Sequence, residues 1–525
     1  MTERPQYYEN DLTPLPINQN TLPQYLEELR AAVRNGAEIV HSKDPLPEQW
    51  GAGWDDETFP WYVSLLRIAL AFFRLDYQAP LLDGAQSPNY RQYALDRIPP
   101  GFPETPLIPS RLSTCSLSPL GAVILRILAS VAKTNWGKDS KPSIAKEDIA
   151  TLEQVTQLAL QNGPLVPHNG RNMGGDELLF GRAGLLWALL NIRAHEYDDE
   201  TRLSLAPVLG QIPKLLDAII DAGRQGSQTY IENNGEDSAH PLMYAWMEGH
   251  YAFGAVHGTA GILPILLSCK PEELAPHISI IGETVTALSK LSVSSNGHLP
   301  MTSPPYGDTK RPSELVQLCH GSPGILILLS TALKNTTLVR DYWCPEWDQA
   351  IYLATQRVWE EGLLSKGGSL CHGVAGNGWP WLLLHNSFAY HAVEIDDARR
   401  AYQQKNPAAA DDRLSQKLTP DYFLSRGLTF LLHARQTKPY NSDPGPSDKD
   451  YRMPDDPYSL YEGLAGNLCA WAEACVLIQA RLRKDAVCGS CLDCSGLDQD
   501  AGFQDAMRRQ LGFPLIGGNG ALGTL

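Results

Sequence analysis

A Gly-x-x-Gly phrase followed by a nearly all-apolar run recurs along this chain, and that recurrence constrains the fold more than any other feature. The phrase begins at Gly181, Gly258, Gly321, Gly373 and Gly463, and the apolar segments cover 185–192, 262–267, 325–333, 379–384 and 468–477. Between them lie amphipathic stretches at helical spacing, such as Ile278, Ile281, Val285 and Leu288, or Ile212, Leu215 and Ile219. An apolar helix alternating with an amphipathic one predicts an inner ring of helices wrapped by an outer ring. Small residues at the phrase let helix ends pack closely and leave backbone N–H groups available, while Ser322-Pro323 and Thr259 read as N-caps or first-turn residues. Two weaker candidates, Trp50-Gly51-Ala52-Gly53 and Cys115 to Gly121, bring the helix pairs to seven. Seven suffice to close an all-α toroid, although the repeats alone fit an open solenoid equally well.

The chain has 525 residues, 43% of them hydrophobic and 19% charged, which suits a globular protein with a substantial core. Length alone would allow several domains, but a repetitive architecture can spend it on one body. The expectation is therefore a single domain over 1–525 with surface insertions near 396–418 and 436–457 and a mobile C-terminal tail near 484–525. A net charge of −16 argues against nucleic acid as a partner, since phosphate binding needs a basic face. Met1-Thr2-Glu3-Arg4-Pro5 offers neither an apolar signal core nor a myristoylation glycine, and stretches such as Leu120 to Ala132 are too short or too charged to span a bilayer. A soluble, cytoplasmic protein with free or metal-bound thiols is expected. Cys488, Cys491 and Cys494 lack a partner Cys-x-x-Cys and read as an oxidation-prone loop.

Two of the phrases are prefixed by the same triplet, Cys319-His320-Gly321 and Cys371-His372-Gly373. Duplicated soft ligands ahead of helices suggest a shared metal site. Zinc leads, because it accepts thiolate and imidazole together and leaves a fourth position open when the protein supplies three ligands. The residues just before the five leading glycines are Phe180, His257, His320, His372 and Glu462. With every inner helix starting at the same end of a ring, these side chains would converge on one mouth.

Taken in order, Leu179 to Gly184, Val256 to Gly261, Leu318 to Gly324, Cys371 to Asn377 and Pro457 to Gly466 resemble the lanthionine synthetase C-like family, its eukaryotic branch in particular. The resemblance implies a seven-fold α,α-barrel. It implies zinc held by Cys319, Cys371 and His372, with a closed site that adds His320 as the inert alternative. Bacterial members of that family cyclise peptides by adding cysteine thiols to dehydroalanine or dehydrobutyrine. Eukaryotic members bind glutathione and are similar to glutathione transferases acting on dehydroamino acids in proteins.

By the same resemblance His257 is an active-site histidine that protonates the enolate formed when a thiolate adds to dehydroalanine, and His320 orients the thiol, acts as a second acid or supports the metal. Read without the phrase around it, His257 would be a packed, hydrogen-bonded core histidine. Lys366 matches a lysine that contributes to glutathione binding, against the alternative of a solvated amine. Arg182 and Glu462 stand as further substrate-binding candidates, each equally able to cap a helix or form an ion pair. The chain departs from the bacterial pattern in having Glu314-Leu315-Val316-Gln317-Leu318 where an arginine precedes the first ligand, and in the bulky Trp379-Pro380-Trp381. These departures weaken a peptide-cyclase reading. The leading function is zinc-dependent addition of glutathione to dehydroamino acids in peptides or proteins; a zinc- and glutathione-binding adaptor without turnover is the other class.

Overall fold

Each of the five phrases opens an α-helix, and the first glycine is its N-cap: Arg182–Arg193, Thr259–Leu266, Ser322–Ala332, Val374–Tyr390 and Leu464–Cys488. The second glycine serves a close backbone approach. A Cβ at Gly261 would lie 1.6 Å from the Ala255 carbonyl oxygen, and one at Gly376 would lie 1.7 Å from that of Leu370. At Gly321 the backbone itself also demands glycine, with φ at 125°. Ser322 and Thr259 take first-turn positions; their hydroxyls donate to the carbonyls of Gly297 (2.9 Å) and Ala252 (3.3 Å).

The computed structural model describes residues 4–44, 46, 59–82, 87–99, 107–113, 120–135, 144–307, 313–407, 414–441, 449–489 and 496–517. Trp50-Gly51-Ala52-Gly53 and nearly all of the segment from Cys115 to Gly121 lie outside those residues. The helices that follow them, Phe59–Leu82 and Leu120–Asn135, are described. Packing closes a circle among the described residues: Phe59–Leu82 lies against Leu120–Asn135, that helix against Arg182–Arg193, and so on through Thr259–Leu266, Ser322–Ala332 and Val374–Tyr390 to Leu464–Cys488, which returns to Phe59–Leu82. The fold is an all-α toroid, so the open solenoid is excluded. Inner helices are buried on every side, as in Val374–Phe388, which explains why their sequence shows no polar stripe.

Outer helices cover this ring with one apolar face. In Ile278–Ser294 the buried face includes Ile281, Val285 and Leu288, and in Ile212–Asn234 it includes Ile212, Leu215 and Ile219. Asp199–Asn234 has the length and hydropathy of a membrane span, but it is divided at Gly210-Gln211 into two helices and the second carries an exposed polar face.

Several features depart from the sequence-based expectation. A five-stranded antiparallel sheet, built from Leu165–His168, Arg171–Gly174, Ala245–Met247, His250–Ala252 and Thr302–Ser303, adjoins the helix N-termini. Its first hairpin turns at Asn169-Gly170, both at positive φ (46° and 74°), the pairing a tight hairpin favours. The expected mobile tail is also corrected over 496–517. The helix Ala501–Arg508 packs on Leu464–Cys488, and Leu511, Phe513, Leu515 and Ile516 are buried, because their apolar side chains enter the body of the protein. Cys488 is disulfide-bonded rather than free, and Cys491 and Cys494 lie outside the described residues. Of the expected insertions, Ala392–Lys405 is a largely exposed helix, whereas Lys449 and Tyr451 in the second are buried, Lys449 pairing with Asp11 at 2.7 Å.

Gly261→Ala is expected to lower stability by about 3 kcal/mol, since the obstructing atom is backbone and cannot rotate away. Gly163→Ala, where the nearest atom is 3.7 Å away, is expected to change it by no more than about 0.5 kcal/mol. Urea unfolding midpoints of the two variants check the contrast.

Candidate metal and thiol site

The site forms where the loops ahead of successive inner helices are stitched edge to edge by backbone hydrogen bonds. Leu112 donates to Phe180 (2.7 Å), Leu178 to Val256 (3.2 Å), Ala255 to Leu318 (3.1 Å), Cys319 to Cys371 (3.2 Å), and Leu370 and Cys371 both to Tyr461 (3.0 and 2.8 Å). Gly254 lets two of these loops touch: a Cβ there would sit 2.0 Å from the Cys319 carbonyl oxygen.

This belt brings Cys319, Cys371 and His372 together, with their ligand atoms all within 4.8 Å of one another and all three residues buried. Two sulfurs and an imidazole nitrogen are a donor set for a divalent transition-metal ion. Without a cation the thiols contend for one proton. The hydrogen bond from Cys371 pulls Cys319 well below the usual thiol range, and the same contact together with burial holds Cys371 well above it. The half-buried Glu462 pushes the Cys371 thiol further up, and Lys366 opposes it. A metal ion would supply the positive charge that lets both thiols ionise together, so the donor set fits one.

His320 stands outside that trio. Its ring stacks on His257 with centroids 5.2 Å apart and planes inclined by 26°, and Trp246 lies 5.7 Å from His257 and 5.5 Å from His320. Trp246 arrives on the strand Ala245–Met247, so the sheet places an aromatic wall beside the histidines. His257 Nδ1 donates to Glu177 Oε2 at 2.5 Å. Burial alone would lower the pKa of this imidazole, but the Glu177 carboxylate and the negative charge on Cys319 outweigh it and raise the value above that of a free histidine. Nε2 is left as the ring's second donor. Sequence reasoning missed Glu177, though it lies in the acidic pair Asp176-Glu177 directly ahead of the first clear phrase.

The companion carboxylate gives Arg182 the ion-pair role that its place in the phrase also allowed. Its guanidinium grips Asp176 through two bonds (2.6 and 3.0 Å) and the Asn162 carbonyl through a third (3.0 Å), with only 3% of the side chain exposed. With the Gly163 carbonyl as a further acceptor (3.4 Å), four of its five N–H groups hold the loop.

Lys366 faces a cavity of about 500 Å³ that it shares with Arg4, Gln6, Leu315, Gln317 and Arg452. Gln317 connects the cavity to the thiols, since its side-chain oxygen is 3.5 Å from Cys319 Sγ. Arg4 reaches it because Tyr7–Tyr8 pairs antiparallel with Leu363–Leu364, just ahead of Lys366. Arg4 is paired with Asp450 (2.6 Å) and Arg452 with Asp455 (2.7 Å), while Lys366 has no ion-pair partner among the described residues. Arg4 and Arg452 were not found from sequence, because neither lies near a repeated phrase.

Comparison with known proteins places this arrangement. A glutathione S-transferase of the LanC-like kind from Danio rerio, LANCL1, is 28% identical over 302 residues, covering 57% of this chain and 59% of the relative. The LanC-like protein GCL1 from Arabidopsis thaliana is 29% identical over 287 residues, covering 53% of this chain and 57% of the relative. The chain thus spans somewhat over half the length of either relative. Among solved structures a nisin cyclase aligns at a TM-score of 0.34 and 15% identity, over 72% of this chain and 95% of its own. The family described as lanthionine synthetase C-like protein matches residues 127–475, from the second inner helix through both cysteine ligands and into the last inner helix. With well over half its length matched and the family's repeated helix pairs closed into a ring, this chain belongs to the lanthionine synthetase C-like family.

Proposed function

We infer that this chain is a zinc enzyme that adds the thiol of glutathione to dehydroalanine or dehydrobutyrine residues in peptides or proteins. The observation that carries this reading is the buried meeting of Cys319, Cys371 and His372 beside an imidazole held by Glu177. Those three side chains would hold the zinc, and zinc bound there would let a coordinating thiol lose its proton near neutral pH while its sulfur stays nucleophilic.

The remaining groups divide the work. Lys366 puts positive charge on a cavity that adjoins Cys319, and Arg4 and Arg452, each paired with an aspartate, add guanidinium donors to its lining, which suits the carboxylates of glutathione. Trp246, against both histidines, offers an apolar wall for the flat dehydroamino acid. As the thiolate sulfur bonds to the β-carbon, the C=C electron pair moves toward the carbonyl and an enolate forms. His257 then gives its Nε2 proton to the α-carbon and is recharged by the proton the thiol released. Glu177 keeps that imidazole charged until it is needed. His320, stacked on His257, orients the ring or relays its proton. Glu462 lies close enough to Cys371 to affect its charge and serves as an acceptor for the amino group of the tripeptide. The glutathione S-transferase name of the zebrafish relative supports this assignment over the peptide-cyclase one. A metal site built on Cys319 and Cys371 needs both of these thiols reduced, which fits a reducing compartment such as the cytoplasm.

Wild-type protein incubated with glutathione and a dehydroalanine peptide is expected to yield the thioether by mass spectrometry. Cys371→Ala should lose both bound zinc and at least about 10²-fold of this rate; full turnover by Cys371→Ala would end the metal assignment. Glutathione affinity with no product on any dehydroamino peptide would leave a binding protein instead.

Glu177→Gln removes the charge that raises the His257 pKa. Because the active form is protonated, the alkaline limb of the pH–rate profile should move to lower pH, and the His257 resonance in an NMR titration should move with it. Lys366→Ala should weaken glutathione binding by about tenfold, or about 1.4 kcal/mol, in calorimetry.

A further inference from the structure

The segment after the helix Ala501–Arg508 runs along three consecutive inner helices toward the metal end of the ring. Near its start, Gln510 Oε1 accepts from Asn386, close to the C-terminus of Val374–Tyr390 (2.7 Å), and the Arg509 carbonyl accepts from Gln78 (3.0 Å). Farther along, the Leu511 and Gly512 N–H groups both donate to the buried Glu473 carboxylate (3.1 and 3.0 Å), and the Gly512 carbonyl accepts from Arg74. Phe513 then lies on Trp379, centroids 4.8 Å apart, near the start of Val374–Tyr390. The strap ends in a tight loop, closed by Phe513 and Gly517 bonding each other's backbone (2.6 and 2.7 Å), with Leu515 held at a φ of 65°. A non-glycine residue persists in that conformation only where its surroundings fix it.

The loop meets the metal site through one hydroxyl. Tyr461 Oη donates to the Pro514 carbonyl at 3.2 Å, and Tyr461 is 2% exposed. The Tyr461 carbonyl accepts from Cys371 N–H (2.8 Å), and the Cys371 carbonyl accepts from Cys319 N–H (3.2 Å). A continuous line of hydrogen bonds therefore joins the strap to the backbones of both cysteine ligands. Neither the repeated phrase nor the family match, which ends at residue 475, includes the strap.

We propose that residues 510–517 form an internal strap that sets the spacing of the metal ligands, with Tyr461 as the positioning residue that transmits its hold to Cys371 and Cys319. Among the described residues no hydrogen bond joins the strap to a ligand directly. The strap fixes the height of the Tyr461 loop against three inner helices, and that loop carries the carbonyl from which the Cys371 backbone hangs. The proposal rests on the metal assignment above but not on the identity of the thiol or electrophile.

The test uses Co(II) alone as probe with the full chain. Tyr461→Phe removes one hydroxyl, and Phe513→Leu removes the tilted ring contact with Trp379 while keeping the strap apolar. Both are expected to retain the helical circular dichroism of the wild type and a melting temperature within about 5 °C. Their Co(II) dissociation constants should rise about tenfold, with the thiolate-to-metal charge-transfer band shifted or weakened. A merely structural role would move the melting temperature without changing the metal spectrum. Co(II) affinity and spectrum unchanged in both variants would overturn the strap while leaving the metal site standing. Wild-type protein that binds no Co(II) under reducing conditions would overturn the strap and the metal assignment together.

Discussion

The belt of backbone hydrogen bonds at the N-terminal mouth of the ring is the constraint on which the rest depends. Among the described residues, five successive loops ahead of inner helices each give an N–H to the next loop's carbonyl, so chemistry-bearing residues from distant parts of the sequence are held in register by main chain. Such a belt requires backbones in direct contact. Glycine is therefore found where a Cβ would strike a carbonyl, at Gly254 against Cys319 and at Gly376 against Leu370. The phrase repeats because the same close approach is needed at every helix start.

Electrostatics at the mouth follow from what the belt brings together. Contact between the two buried thiols lowers the pKa of Cys319 and raises that of Cys371, which Glu462 pushes further up and Lys366 opposes. Across the opening, the Glu177 carboxylate outweighs the burial of His257 and raises the pKa of the ring. A donor set that fits a cation and an imidazole bonded to a carboxylate are both built at this mouth, each acted on by charges from its neighbouring loops. Burial raises the stakes of both, because an unpaired charge there has little water to answer it.

Much of the site was legible in sequence, and for a definite reason. The two cysteine triplets and the histidine before Gly258 sit at fixed offsets from the glycines, so locating the helix starts located these residues too. Glu177 stands in the same loop and could have been found by asking what faces His257, but an acid ahead of a helix more often caps it, as Asp176 does in effect by tying down Arg182. Arg182 shows the converse: a conspicuous arginine inside the phrase is absorbed by the fold. Trp246 and the cation pair Arg4 and Arg452 come from a hairpin, an N-terminal strand and a late loop, whose pairings are set by contacts far apart in the chain.

The sequence by itself determined the inner helices, since an unbroken apolar run after a glycine start has no stable state except complete enclosure by other helices. It also determined the outer helices, whose apolar residues recur on one face only. Tertiary structure alone decided that the ring closes, because closure depends on Phe59–Leu82 meeting Leu464–Cys488, two segments with no local signal of each other. It also decided that the C-terminal strap packs inside. Its glycines and short apolar run have no periodicity to read, and Glu473, Arg74 and Trp379 become its partners only once three separate helices stand side by side.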